Sequence, residues 1–409
     1  MSAIAHEQEP LPLPARIRNA ILRRVRKMVK DVAFFWWLPS IYRKAAKEPV
    51  VEGEVLFLEN KESCLPESFS VLYERLSGEP GLELEFASLG ETRVRLRQYY
   101  RNCAQFVRSM ATAQYVFLND ASNVVSCVPL RPETKVVQLW HGCGAFKKWG
   151  MSTADLIFGG SREDILRHPF YKNLSLVTVS SPEVAWAYEE AMVLQDDPGI
   201  VQPIGVSRTD VFFDDEYIEN GRRALRALVP AAEHKKVILY APTFRGRVAS
   251  AEGPDELDIN AMRESLADDY VLIIKHHPFV KERPQIPSNC SDFAFDVSDQ
   301  ISISELLCGA DMVISDYSSL VFEYSLFERP MVFFAFDKEE YADWRGFYYT
   351  YEELAPGPIC TTTSELLQQI HDLESHFDPS RIRAFREKFM AACDGCSTDR
   401  IIARVFGDK

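Results

Sequence analysis

From Pro49 onward, short apolar runs alternate with longer amphipathic stretches. The runs Val55–Leu58, Leu82–Phe86, Tyr115–Leu118, Val136–Trp140, Leu156–Phe158 and Leu176–Val179 predict a first set of strands. A second set is predicted at Val201–Ile204, Val237–Tyr240, Val271–Ile274, Phe293–Phe295, Met312–Ser315, Met331–Phe336 and Pro358–Cys360. Helical stretches such as Pro182–Leu194 and Tyr317–Phe327 lie between them. Alternating β and α elements argue for parallel sheets with helices on both faces. About thirteen strands exceed one comfortable open sheet, so the chain is expected to divide into two Rossmann-like α/β halves. The polar stretch Gln195–Pro198 marks the division. It leaves one domain over 49–197 and a second over 198–378. Helices over 379–409, Arg381–Ala392 among them, are expected to cross back to the first half.

Residues 1–48 follow a different pattern. Ile17, Ile21, Val25, Met28, Val32 and Trp36 recur at spacings of three or four, which makes one apolar stripe on a helix over 16–37. Arg16, Arg18, Arg23, Arg24, Arg26, Lys27 and Lys30 fill the rest of the cylinder, and Phe34-Phe35-Trp36-Trp37-Leu38 leads into Pro39, the expected stop. Between Arg16 and Glu48 there are ten Lys or Arg and two acidic residues, a local +8 in a chain of net charge −14. Such asymmetry predicts a basic appendage with its own partner. Basic faces attract anionic head groups and aromatics settle at the head-group boundary. Residues 16–38 are therefore expected to lie in the plane of an anionic membrane surface. The plainer alternative is a surface helix packing its stripe on the body. No run of about 18 apolar residues is present, so the expected attachment is peripheral.

The 409 residues are 46% hydrophobic and 26% charged, enough for a packed core. The acidic balance argues against a nucleic-acid partner, which needs a basic surface. Nine scattered cysteines with no disulfide rhythm and no secretory leader fit a reducing cytoplasm. Cys393 and Cys396 form a lone C-x-x-C, weak as a zinc signature and read as incidental.

Ligands of open α/β sheets sit beyond the carboxyl ends of the strands. Three segments there carry chemistry. In Gln138-Leu139-Trp140-His141-Gly142, a histidine leaves a strand into a Gly-flanked loop and is a candidate base. The alternative is a buried histidine satisfied by a backbone carbonyl. In Lys275-His276-His277-Pro278, adjacent histidines on an extended chain point opposite ways, so at most one faces a cleft. That spacing suits phosphate better than zinc. In Ser315-Asp316-Tyr317-Ser318-Ser319, a strand turns into a helix start, where free N–H groups, the helix dipole and hydroxyls attract phosphate. Simple N-capping by Asp316 or Ser318 is the alternative. Cations available for a diphosphate are Arg208, Arg245, Lys275 and Arg345. No acidic metal cluster follows a strand, so phosphoryl chemistry here would rely on Arg, Lys, His and helix dipoles.

At these residues the chain resembles the CDP-glycerol glycerophosphotransferase family of wall teichoic acid and capsule polymer synthesis. The resemblance spans roughly residues 50–405. It rests on the order of Gln138–Gly142 with Lys147, Lys148 and Gly150; Gly205-Val206-Ser207-Arg208-Thr209-Asp210; and Tyr240-Ala241-Pro242-Thr243-Phe244-Arg245. Lys275–Pro278, Ser315–Ser319 with Glu323, Asp337 through Arg345–Tyr348, and Asp394-Gly395 with Ser397, Thr398 and Arg400 complete it. It implies a GT-B-like architecture with a cleft between the halves. It also implies metal-independent transfer without a cofactor, CDP-glycerol being substrate. His141 would be general base on an acceptor hydroxyl attacking the β-phosphorus, and His277 would contact the donor phosphates and help CMP leave. Ser318, Ser319, Arg245, Arg345 and Lys275 would bind the diphosphate and Glu323 the ribose. Gly142, Arg208, Asp210, Thr243 and Asp316 complete the motifs. The acceptor implied is a lipid-linked glycan or teichoic-acid-like polymer at the cytoplasmic face of a bacterial membrane. Ser207 stands where the family usually has proline, which bears on acceptor and polyol identity more than on reaction type. The rival readings are a CDP-ribitol-dependent transferase, a sugar-nucleotide GT-B glycosyltransferase or epimerase, and a non-catalytic membrane scaffold.

Overall fold

The computed structural model describes residues 13–154, 156, 159–246 and 250–407, with side chains left out at 13–17, 19, 20, 23 and 342–345. Among the described residues twelve strands form two sheets. The first contains β1 (Val51–Glu59), β2 (Glu83–Ser88), β3 (Ala113–Leu118), β4 (Lys135–Gln138), β5 (Leu176–Thr178) and β6 (Val201–Gln202). All pairs in it are parallel, in the order β2-β1-β3-β4-β5-β6. The second contains β7 (Lys236–Tyr240), β8 (Tyr270–Ile274), β9 (Ala294–Asp296), β10 (Met312–Ser315), β11 (Met331–Phe334) and β12 (Ile359–Cys360). It is also wholly parallel, in the order β12-β11-β10-β7-β8-β9. Continuous burial along Tyr270–Ile274 and Met312–Ser315 is what helices on both faces produce. Strand order reverses between β1 and β3 in one sheet and between β7 and β10 in the other, and crevices open at such points.

Three boundaries differ from expectation. Val201–Gln202 pairs with β5, so the first sheet runs past residue 197, and the division lies after this edge strand. Leu156 is in no strand, and residues 157 and 158 lie outside the described residues. The helix expected over 16–37 does not stop at Pro39. A helix over Leu13–Val32 passes through a wider turn over Ala33–Trp37 into a second helix, Leu38–Ala45. Pro39 sits in the first turn of that second helix, directly after the wide turn.

Residues 1–12 lie outside the described residues, and residues 13–48 are not one appendage. Phe34, Leu38 and Tyr42 are buried in the first domain's core, and the Tyr42 hydroxyl accepts from Arg131 N at 3.0 Å. Ile21, Val25, Met28, Val32 and Trp36 are exposed, Met28 by 60% and Trp36 by 75%, so the body leaves the predicted stripe uncovered.

Two C-terminal helices return to the first sheet. Ile401 and Val405 of the Ser397–Phe406 helix pack with Val55, Phe57 and Phe117. Ser180 Oγ and Ser181 Oγ donate to the carbonyls of Phe389 and Lys388 at the end of the Ser380–Phe389 helix. The 205–210 and 394–400 motifs interlock there. Asp210 accepts from Ser397 N (3.1 Å) and Thr398 N (2.7 Å), satisfying the free donors of a helix start. Ser207 Oγ, in the proline position, pairs with Thr398 Oγ1 at 2.9 Å. Asp210 thus belongs to the frame. Asp210→Ala should cost about 0.5–2 kcal/mol, as lost helix caps do, read as a lower urea midpoint, and Asp210→Asn should cost less.

Candidate active site

The first half contributes three strand ends beside its reversal point: Glu59 closing β1, Asn119 after β3 and His141 after β4. Trp140 has φ of 61°, a left-handed conformation costly for a bulky residue. Its ring is held between Trp149 (centroids 4.4 Å apart) and His141 (4.6 Å). The exposed His141 places Nδ1 3.3 Å from the Asn119 carbonyl. A carbonyl only accepts, so the neutral ring carries its proton on Nδ1 and leaves Nε2 as a lone pair. The Asn119 side chain is fixed by Ser68 and the buried Glu59. Asn119 and its partners were missed in the sequence, although Asn119 follows β3 as His141 follows β4. Applying the strand-end rule to polar amides would have found it.

His277 has the opposite arrangement. Its Nδ1 accepts from Phe279 N at 3.2 Å, which leaves the proton of a neutral ring on Nε2. Phe244 and Phe279 pack against the ring at 5.0 and 4.5 Å. His276 turns the other way and is buried, which lowers its pKa and keeps it neutral.

Several expected phosphate ligands have other work. Arg245 donates from Nε and Nη2 to Asp337 (2.6 and 3.0 Å) and from Nη1 to Asp316 (3.0 Å) and the Thr243 carbonyl. Tyr317, Phe336 and Tyr341 pack their rings around its guanidinium. The buried Asp316 also accepts from Thr243 N (2.9 Å) and Tyr317 N (2.6 Å), tying the end of β7 to the end of β10. This knot shapes the turn that presents Ser318 and Ser319, both half-buried; it consumes Arg245 rather than offering it to a ligand. Lys275 Nζ donates to the carbonyls of Ser298 (2.7 Å) and Ile301 (2.5 Å), and burial lowers its pKa. The helix after Ser319 runs only over Leu320–Tyr324, so hydroxyls and N–H groups outweigh any dipole there. The Arg345 side chain lies outside the described residues.

Glu323 likewise has a protein partner. It is buried, and its Oε1 lies 3.0 Å from Arg208 Nε. Burial raises its pKa above the usual carboxylate range, with Arg208 opposing. Arg208 also donates from Nη1 to the His141 carbonyl (2.7 Å) and from Nη2 to Ser304 Oγ and Glu67, each at 3.4 Å. Burial alone would lower its pKa, yet Glu323 and Glu67 hold it above the ordinary value.

The halves meet on this network. A Cβ added at Gly142 would lie 3.8 Å from Ser319 Oγ, and one at Gly144 would strike the Phe322 ring at 2.4 Å. Lys147 and Phe347 form an antiparallel bridge, and Lys148 N donates to the Gly346 carbonyl at 3.1 Å. His141, Gly142, Arg208, Glu323 and Ser319 are thus brought together. Lys275 and the histidines beside it connect to them through Ile301 and Ser304. Among the described residues no group of three or more His, Cys, Asp or Glu is disposed to hold a metal ion.

Two parallel-sheet domains meeting at their strand ends, with a tautomerically fixed histidine beside paired serines, are the architecture of a two-domain transferase. The chain belongs to the CDP-Glycerol:Poly(glycerophosphate) glycerophosphotransferase family, whose sequence profile matches residues 40–407. It is 34% identical over 359 residues to the teichoic acid ribitol-phosphate primase of Bacillus spizizenii, covering 86% of this chain and 90% of that protein. It is 30% identical over 297 residues to the teichoic acid glycerol-phosphate primase of Bacillus subtilis, covering 72% and 73%. Its fold is similar to that of the wall teichoic acid polymerase TagF, with a TM-score of 0.74 at 22% identity over 96% of this chain and 97% of that one.

Arg245→Ala leaves Asp316 and Asp337 without their cation. The expected loss is about 3–5 kcal/mol, as for other broken buried pairs, read as a lower urea midpoint. Arg245→Lys should recover only part of it, because an ammonium lacks the planar fork.

Proposed function

We propose that this chain transfers polyol phosphate from a CDP-activated polyol, CDP-glycerol foremost, to a hydroxyl of a membrane-linked glycan or lipid acceptor in teichoic-acid-like or capsule polymer synthesis. The halves would act as a GT-B-like pair. The observation that carries the reading is the opposite hydrogen bonding of His141 and His277 at two strand ends.

His141 Nε2 takes the proton of the acceptor hydroxyl. The resulting oxygen attacks the phosphorus that bears the polyol. The bond from that phosphorus to the diphosphate bridging oxygen breaks, and CMP leaves with the electron pair. His277 donates from Nε2 to the leaving phosphate. Ser318 and Ser319 offer hydroxyls to the diphosphate, and fixed neutral donors stabilise its developing charge without a divalent ion. One observation favours CDP-ribitol as a second reading: the relatives include a ribitol-phosphate primase matched over most of its length.

Attachment to the cytoplasmic face of the membrane is peripheral. No helix among the described residues is long and apolar enough to cross a bilayer. The uncovered stripe from Ile21 to Trp36, on a helix rich in Lys and Arg, is suited to lying within the head-group layer.

His141→Ala should retain the thermal midpoint and lower CMP release by roughly 10²–10⁴-fold; normal turnover would remove His141 as base. Mass analysis of products from CDP-glycerol, CDP-ribitol and UDP-sugars, each with a lipid-linked acceptor, decides the donor. Products formed from UDP-sugars alone would overturn the phosphotransfer reading. Met28→Ser, Val32→Ser and Trp36→Ser together should release the protein from anionic vesicles in sedimentation without shifting its thermal midpoint. Undiminished pelleting would show that attachment lies elsewhere.

A further inference from the structure

A cavity of about 270 Å³ lies where the N-terminal segment meets the first domain. Phe34, Phe35 and Arg43 line it from the segment, and Asn123, His168 and Lys172 from the body. No carboxylate lines it, although the chain as a whole carries a net charge of −14. Its size suits a small head group better than an extended ligand.

The cations around it divide into two kinds. Asp31 accepts from Arg167 Nη2 and His168 Nε2, each at 2.8 Å, which staples the helix to the body. Burial lowers the His168 pKa despite Asp31, so that contact is a hydrogen bond from a neutral ring. Arg43 and Lys172 are exposed; the Lys172 backbone bonds to Ser126 Oγ, and neither cationic side chain has a hydrogen-bond or ion-pair partner among the described residues. Two unpaired cations on a hollow without carboxylates recognise an anion.

The surroundings define which anion. Phe35 stacks on His168 with centroids 4.9 Å apart, and the next two residues, Trp36 and Trp37, are exposed. Tryptophans settle at the depth of lipid head groups, so the cavity lies where lipid phosphates are. Asn123 in its lining is four residues from Asn119, whose carbonyl holds His141. Four residues span at most about 14 Å.

We propose that this cavity seats the phosphate of the membrane-lipid acceptor, with Arg43 and Lys172 as its cations, holding the acceptor hydroxyl near His141. The proposal rests on the membrane-acceptor reading above and goes further in naming the subsite.

The test uses dihexanoyl phosphatidic acid below its micelle concentration, titrated calorimetrically into the full-length chain. The wild type should bind it saturably and at least ten-fold more tightly than inorganic phosphate. Arg43→Ala with Lys172→Ala should weaken that binding at least ten-fold at an unchanged thermal midpoint. Absence of saturable binding, equal affinity in the double variant, or inorganic phosphate binding as tightly as the lipid would overturn it. Vesicle sedimentation of the same proteins separates the two readings. Failure of membrane attachment leaves the wild type in the supernatant, whereas failure of the subsite alone leaves it in the pellet with lipid affinity unaffected by the substitutions.

Discussion

The buried guanidinium of Arg208 is the contact on which the geometry of the site depends. A cation removed from water must be compensated by nearby charge and hydrogen bonds. Here the compensation comes from both halves at once: Glu67 and the His141 carbonyl on one side, Glu323 and Ser304 on the other. Satisfying Arg208 therefore fixes the separation of the halves and the path of the loop carrying His141. Sliding the halves apart would strand either the arginine or Glu323 in a low dielectric, a far larger cost than losing a surface pair.

Arg245 repeats the logic within the second half. Its carboxylate partners come from after β10 and after β11, so the turn bearing Ser318 and Ser319 is held by charge rather than by a long helix. The guanidinium of Arg245 and the ammonium of Lys275 thus bind groups of the frame, and Ser318, Ser319 and His277 add hydroxyl, N–H and imidazole donors among the described residues. Such donors need little reorganisation when charge shifts during transfer.

Legibility in the sequence followed the range of the interactions. Val237–Tyr240, Val271–Ile274 and Met312–Ser315 agree with the observed strands to within a residue, because buried parallel strands are continuous apolar runs. The placement of His141, Ser318 and Ser319 in loops after strands was also legible, because it too is local. The protein partners of Arg208, Arg245, Lys275 and Glu323 were not legible, since a charged residue in a motif looks the same whether its partner is a substrate or a distant group of the chain. Asp316 and Asp337 lie 71 and 92 residues from Arg245, and no spacing announces such pairs. Val201–Gln202 was given to the wrong half for the same reason: two residues of strand carry no mark of the sheet they join.

The N-terminal segment was half legible, and the part that was not is the more informative. Periodicity showed the stripe but not that Phe34, Leu38 and Tyr42 leave it to enter the core. The wider turn over Ala33–Trp37 shifts the helical register, so the exposed face of the first helix gives way to a buried face on the second. Tyr42 meets Arg131, Asp31 meets Arg167 and His168, and the loop from Asn119 to Asn123 runs from His141 to the same region. The segment and His141 therefore belong to one body. The contacts of Gly142 with Ser319 and of Lys147 with Phe347 then dock the second half against the loop that carries His141.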